Sequence, residues 1–151
     1  MKRHAVLQPF SRDHNVGLVI ARRLSERPDE HAIRELVTIW DDEMRDHFEE
    51  EERLLIPLSE SDHAARMIDE HRIIEGMIAK AQSEGLSLDE IRTLGKLLGN
   101  HIRWEERVLF PALESNCSLE SIADATDSLE KRRADSRHSP RRAELVQKNS
   151  L

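Results

Sequence analysis

Apolar side chains recur with a period near 3.6 in four long segments of the chain, and this period predicts four amphipathic helices. The segments cover about residues 11–27, 29–56, 62–84 and 87–116. Ser11 can cap the first helix, and Ser87 with Glu90 has the pattern of a capping box at the start of the fourth. Because the connections are only a few residues long, consecutive helices are expected to run antiparallel. The pattern therefore predicts an all-α protein whose residues 8–116 form an antiparallel up-down-up-down four-helix bundle.

The apolar pattern weakens after Asn116. We expect a short C-terminal helix over residues 117–134 and a flexible basic tail over residues 135–151. Seven basic and two acidic residues lie between Lys131 and Leu151, which leaves the preceding part of the chain with a net charge of −12. Charge therefore separates an acidic bundle from a basic terminus, a distribution typical of a solvated tail.

The composition of the chain excludes several classes of protein. No apolar run approaches the roughly 18 residues that a membrane helix needs, so we expect no membrane partner. The single cysteine, Cys117, excludes an internal disulfide and a thiolate zinc cluster, and it fits a cytoplasmic protein. The formal net charge of −7 argues against nucleic acid as a partner. Eight histidines remain to be explained, and the useful question is which of them are buried.

An internal repeat links the two halves of the predicted bundle. The frame H-x-x-x-E-E-R-x-L-x-P begins at His47 and again at His101, 54 residues later. An acidic residue followed by histidine recurs at an offset of 57, first ending at His14 and then at His71. The chain is therefore expected to form two helical hairpins related by a pseudo-twofold axis.

Polar side chains lie on the inward rows of all four predicted helices. They are His14, His47, Glu51, His71, Glu75, His101 and Glu105. Carboxylates buried without partners would cost several kcal/mol each, and no lysine or arginine shares their rows. Bound cations are the simplest compensation, and four imidazoles with three carboxylates suit two six-coordinate ions. These ligands favour iron or manganese and leave zinc possible.

The remaining histidines and the large aromatic residues have simpler interpretations. His4, His31, His63 and His138 are expected at the surface, and Trp40, Phe48 and Trp104 in the core. A helical interaction domain without metal stays an alternative for the whole chain, although the complete row of seven candidate ligands argues against it.

The spacing of the candidate ligands separates two kinds of di-metal bundle. Ferritin-like proteins use Glu-x-x-His pairs, whereas this chain has His-x-x-x-Glu pairs. Its motifs are Asp13-His14-Asn15, His47-x-x-x-Glu51, Glu70-His71 and His101-x-x-x-Glu105. In these motifs the chain resembles the hemerythrin family and its hemerythrin-like HHE cation-binding relatives over about residues 8–115.

The resemblance implies a non-haem di-iron centre with an oxo or hydroxo bridge. His14 and His47 would hold one iron, His71 and His101 the other, and Glu51 and Glu105 would bridge the two. Hemerythrins carry a histidine four residues after the position of His71, where this chain has Glu75, and their carriers usually have aspartate at the position of Glu105. An added carboxylate stabilises the more oxidised metal, so Glu75 argues against reversible oxygen carriage.

The resemblance implies two functions of different classes. The first is a module that binds or senses oxygen, nitric oxide, peroxide or iron at the di-iron centre. The alternative is a di-iron enzyme with peroxidase, nitric-oxide-reducing or iron-sulfur-repair activity. A small diatomic or peroxide ligand is the expected partner in the first case, and the redox partner stays open in both.

Overall fold

The computed structural model describes residues 2–116 and 118–137, and all regular structure among them is helical. A 3-10 turn at Ala5–Leu7 leads into α1 (Gln8–Glu26), followed by α2 (Glu30–Ile39), a first π segment (Trp40–Met44), α3 (Arg45–Leu54), a 3-10 turn (Ile56–Leu58), α4 (Ser61–Ser83), α5 (Leu88–Trp104), a second π segment (Glu105–Leu109), α6 (Phe110–Asn116), a 3-10 turn (Leu119–Ile122) and α7 (Ala123–Arg137). The predicted all-α class is confirmed.

The π segments join α2 to α3 and α5 to α6, so four long helical units build the bundle. The helix α1 contacts α2, α3 and α5, and α4 contacts the same three helices. Each single helix therefore lies between the two π-containing units, with the interior enclosed by all four. No described helix is both long enough and apolar enough to cross a membrane.

Two apolar clusters fill the interior, one on each side of a polar layer. The first cluster includes Ile20, Ile74 and Leu98, and the second includes Leu55 and Phe110. Along α1, for example, Phe10 belongs to the second cluster and Val16 to the first, with the buried His14 between them. Apolar side chains thus flank the polar layer on both sides along the bundle.

The helix boundaries differ from the sequence-based prediction mainly at the N-terminus. The helix α1 begins at Gln8 rather than Ser11, with Pro9 in its first turn. Because a helix tolerates proline in its first turn, Pro9 suits this earlier start. The hydroxyl of Ser11 caps nothing and donates instead to Glu106 Oε2 at 2.7 Å. The capping box of Ser87 is confirmed.

The C-terminal helix packs onto the bundle. It was expected over residues 117–134, and the structure has a 3-10 turn followed by α7 (Ala123–Arg137). Leu119 and Leu129 are buried in the second apolar cluster. Cys117 and residues 138–151, which include His138 and most of the predicted tail, lie outside the described residues.

The expected core aromatics are buried, and the described surface histidines lie outside the polar layer. Trp40, Phe48 and Trp104 are between 2% and 6% exposed. The side chain of His31 is 66% exposed, and that of His4 is 37% exposed.

Candidate metal centre

Six of the seven predicted ligands meet in the polar layer between the two apolar clusters. The helix α1 supplies His14, α3 supplies His47 and Glu51, α4 supplies His71, α5 supplies His101, and the second π segment begins with Glu105. None of the six is more than 4% exposed. They form two groups of four that share Glu51 and Glu105, and within each group one donor atom from every residue lies within 4.8 Å of the others.

The Nε2 atoms of the four histidines point at the two shared carboxylates. Glu51 Oε1 lies 3.1 Å from Nε2 of His47 and 3.3 Å from Nε2 of His71. Glu105 Oε1 lies 3.0 Å from Nε2 of His14 and 3.3 Å from Nε2 of His101. The second oxygen of Glu51 lies 3.4 Å from His14 Nε2. Each carboxylate therefore faces at least one histidine of each hairpin.

Each histidine uses its other ring nitrogen for a carboxylate outside this cluster. The Nδ1 atoms of His14, His47, His71 and His101 lie 2.6, 2.9, 2.7 and 2.8 Å from carboxylate oxygens of Glu106, Asp13, Glu52 and Glu70. A neutral ring that donates its Nδ1 hydrogen to a carboxylate presents the Nε2 lone pair inward, and such partners orient histidines that bind a metal. All four rings are thus oriented in the same way.

The outer carboxylates follow the pseudo-twofold repeat and cross between helices. Asp13 and Glu70, each one residue before a histidine of α1 or α4, contact the histidines of α3 and α5. Glu52 and Glu106, each one residue after a shared glutamate, contact the histidines of α4 and α1. The sequence pattern does not predict these roles and assigns Glu52 to a solvated face. The only signal was the recurrence of the four acidic residues in the repeat.

The buried histidines and the shared carboxylates shift one another's pKa values. Burial lowers the pKa of His47, but the charge of Glu51 and the contact with Asp13 outweigh it and raise the pKa to about 9. Burial likewise opposes the effect of Glu105 and Glu70 on the pKa of His101, which rises to about 10. The pKa of Glu51 falls despite burial, because positive charge on His47 favours its ionised form. The site therefore holds its carboxylates ionised and attracts positive charge.

Several buried donor and acceptor atoms in this layer lack a hydrogen-bond partner. They are Nε2 of His14, His71 and His101 and both carboxylate oxygens of Glu51 and Glu105. The 3.0 Å contact of His14 Nε2 with Glu105 has an ion-pair distance without hydrogen-bond geometry. Buried polar atoms are normally satisfied, so these atoms indicate a missing partner. Imidazole nitrogen and carboxylate oxygen are ligands that suit iron, manganese and zinc.

The prediction that Glu75 is buried with the other ligands is wrong. Its side chain is 32% exposed and lies 2.8 Å from Arg72 Nη1, outside both groups. The buried stripe of α4 passes through His71 and Ile74, which leaves the next position at the edge of the stripe. Exposure and the neighbouring arginine then favour an ion pair at the surface.

A helical bundle with a buried histidine–carboxylate cluster between four helices defines a metal-binding protein. The family model of the hemerythrin HHE cation-binding domain matches residues 10–113, and the chain belongs to this family. Searches among curated proteins and among solved structures gave no match.

Proposed function

We propose that the polar layer holds a non-haem di-iron centre. In this proposal His14 and His47 would hold one iron, and His71 and His101 would hold the other. Glu51 and Glu105 would serve as ligands of both irons. The observation that carries the proposal is the pair of overlapping groups with two common carboxylates. One ion would leave two of the four inward Nε2 atoms without a partner. With two ions, each ion would have two histidines of one hairpin and the two shared glutamates as ligands.

The charges near the centre support two divalent ions. Glu51 and Glu105 neutralise half of the charge of two ferrous ions, and the outer carboxylates lie one imidazole further out. Outer carboxylates contact arginines near the surface, as in the contacts of Arg72 with Glu52, Arg3 with Glu106 and Arg66 with Glu70. Because Glu75 lies outside the cluster, its charge gives no argument against reversible oxygen carriage.

The function proposed for this centre is to bind or sense a small molecule such as oxygen, nitric oxide or peroxide, or to sense iron itself. A di-iron centre supplies open coordination positions and one-electron redox changes when bound. The chain orients the ligands through the outer carboxylates, and the apolar clusters keep bulk water away from them.

Metal analysis and optical spectroscopy test the proposal. We expect about two irons per chain at saturation, and near-ultraviolet bands of a bridged diferric centre in the oxidised protein. Manganese and zinc centres lack these bands, so the presence of the bands distinguishes iron from manganese and zinc. Fewer than about one metal per chain would overturn the two-ion proposal. Catalytic turnover of peroxide by the loaded protein, rather than one stoichiometric reaction, would replace the binding function by the enzymatic alternative.

A further inference from the structure

The segment that precedes α1 is fixed to the second half of the bundle by Arg3 and His4. Glu114 of α6 accepts from Arg3 Nη1 through Oε1 at 2.6 Å, and from the backbone N–H of His4 through Oε2 at 2.6 Å. The side-chain amide of Gln8, in the first turn of α1, donates to the carbonyl oxygen of Arg3 at 3.2 Å. Both the backbone and the side chain of Arg3 are therefore held in place.

The second nitrogen of the same guanidinium contacts Glu106, the outer carboxylate that orients His14. Arg3 Nη2 donates to the carbonyl oxygen of Glu106 at 2.8 Å and lies 3.3 Å from its Oε1. The other oxygen of Glu106, Oε2, accepts from the hydroxyl of Ser11 and lies 2.6 Å from His14 Nδ1. Because Arg3 and Ser11 hold opposite oxygens of one carboxylate, they restrict its rotation away from His14.

Arg3 also reaches His14 by a second route, through an aromatic ring. Its guanidinium carbon lies 5.4 Å from the ring centroid of Phe110, within the range of a cation–π contact. Phe110 in turn stacks on His14, with ring centroids 5.5 Å apart. The carboxylate that orients His14 and the ring that stacks on it thus share one arginine.

The internal repeat explains why this arginine comes from outside the four long helical units. Glu52, the counterpart of Glu106 in the repeat, is held by Arg72, whose Nη2 lies 2.5 Å from Glu52 Oε1. The offset of 57 that relates the histidines of α1 and α4 places Asn15 at the position of Arg72. A neutral amide cannot form an ion pair with a carboxylate, so α1 does not supply the equivalent contact. Arg3 supplies it from the segment before α1.

We propose that Arg3 is a positioning residue of the metal centre, which holds His14 in its metal-binding orientation through Glu106 and Phe110. The inference rests on the proposed function in one respect, that a metal ion binds in the polar layer, and it applies to zinc as well as to iron. A positive charge near a cation site weakens binding by repulsion. A favourable effect of Arg3 on metal affinity therefore has to come from orientation.

Two variants with opposite changes of charge, Arg3→Ala and Glu114→Gln, test the proposal. Glu114 contacts Arg3 and His4 but is not one of the carboxylates that contact the buried histidines. A charge effect alone would raise the affinity for a cation in Arg3→Ala and lower it in Glu114→Gln. Loss of orientation should lower the affinity in both. We expect a loss of about 3- to 10-fold in each variant, at or below the lower end of the range for a direct carboxylate partner.

Two further variants serve as controls. Arg22→Ala removes an arginine of α1 that is 68% exposed and pairs with Glu26, and it should change the affinity by less than about twofold. Arg3→Lys keeps the charge, but one ammonium group lacks the forked donors with which the guanidinium reaches both Glu114 and Glu106. The affinity of Arg3→Lys should therefore stay below that of the parent protein.

Competition titrations of the full-length protein with zinc and, without oxygen, with ferrous iron measure the affinity. Nuclear magnetic resonance of the zinc-loaded protein gives a local measurement, because each histidine Nδ1–H signal reports one hydrogen bond to an outer carboxylate. In Arg3→Ala and Glu114→Gln the signal of His14 should shift or broaden by exchange with solvent. The signals of His71 and His101 should stay unchanged, whereas a general loss of stability would affect all of them.

The outcomes separate this proposal from the di-iron proposal. An unchanged or raised affinity in Arg3→Ala, a His14 signal that does not move, or an affinity of Arg3→Lys equal to that of the parent would overturn the role of Arg3 and leave the di-iron centre intact. Zinc binding that weakens in both variants, in a chain that binds no iron, would support the role of Arg3 and overturn the di-iron function. A chain that binds neither metal would overturn both.

Discussion

The outer carboxylates should contribute measurably to metal affinity, and the pair Glu52→Ala and Glu75→Ala isolates this effect. Both glutamates contact Arg72, so each variant removes one carboxylate from the same arginine. Only Glu52 also accepts from a histidine, through His71 Nδ1 at 2.7 Å. The two variants therefore change net charge equally and differ in the support of one ligand.

The expected magnitude follows from the role of the bond. Loss of a carboxylate partner typically lowers the metal affinity of a histidine site by about 10- to 100-fold. This corresponds to about 1.4 to 2.7 kcal/mol of binding free energy. The charge effect alone should be smaller, because the exposed part of Glu75 is screened by solvent and salt. We expect Glu75→Ala to change the affinity by less than about threefold.

Anaerobic titration of each variant with ferrous iron against a competing chelator measures the affinity. Circular dichroism of the metal-free proteins provides the control, since both variants should keep the helical content of the parent. Glu52→Gln should lie between the parent and Glu52→Ala, because a neutral amide oxygen still accepts from His71 but more weakly. Equal losses in Glu52→Ala and Glu75→Ala would refute the reasoning, since only a general charge effect acts equally on both.

Three further predictions concern stability. Gly95→Ala places a Cβ 2.7 Å from the carbonyl oxygen of Ala21 and should lower the free energy of unfolding by about 1 to 3 kcal/mol. Gly76→Ala, whose Cβ meets nothing within 4 Å, should raise the free energy of unfolding by about 0.5 to 1 kcal/mol. Urea titrations in which Gly95→Ala is the more stable of the two variants would contradict this prediction. Ser87→Ala removes the capping box of α5 and should cost about 1 kcal/mol in the same assay, while an unchanged midpoint would show that the cap contributes nothing. Removal of bound metal by a chelator should destabilise the protein by at least about 3 kcal/mol at metal concentrations above 100 times the dissociation constant, and equal melting temperatures with and without metal would argue against binding to the folded state.

The inner part of the site could be predicted from the sequence because burial and polarity conflict there. Helical periodicity assigns His14, His47 and Glu51 to apolar rows, and only a bound partner explains polar residues in such positions. These residues lie in the polar layer. Helical periodicity predicts burial wrongly for Glu75, because a side chain at the edge of a buried stripe can turn to solvent.

The outer carboxylates could not be assigned because their partners lie on other helices. Glu52 resembles any partly exposed acidic residue with an arginine nearby, and Glu70 pairs with Arg66 in the same way. Periodicity locates a side chain on its own helix, but the contact of Glu52 with His71 depends on how α3 and α4 pack. The repeat identified the residues as a recurring set without indicating what they contact.

A constant helical period does not predict the second π segment. This segment helps to explain why the surroundings of His14 differ from those of His71. Each π turn contains an added residue, which rotates the following helix by about 100°. After Glu105, this rotation leaves Val108 44% exposed, although the regular period assigns it to the core, and buries Phe110 completely. Phe110 then stacks on His14, with centroids 5.5 Å apart.

Phe110 belongs to the second apolar cluster, whereas Phe48, which stacks on His71, belongs to the first. The two pseudo-equivalent histidines are therefore covered by aromatic rings from opposite ends of the bundle. On the side of the first cluster His14 has no equivalent of the Phe48 stack among the described ring contacts, and Gly17 adds no side chain there. A break in the repeat at the second π segment and a missing side chain at residue 17 thus act on the same histidine, so the two pseudo-equivalent halves of the polar layer are packed differently.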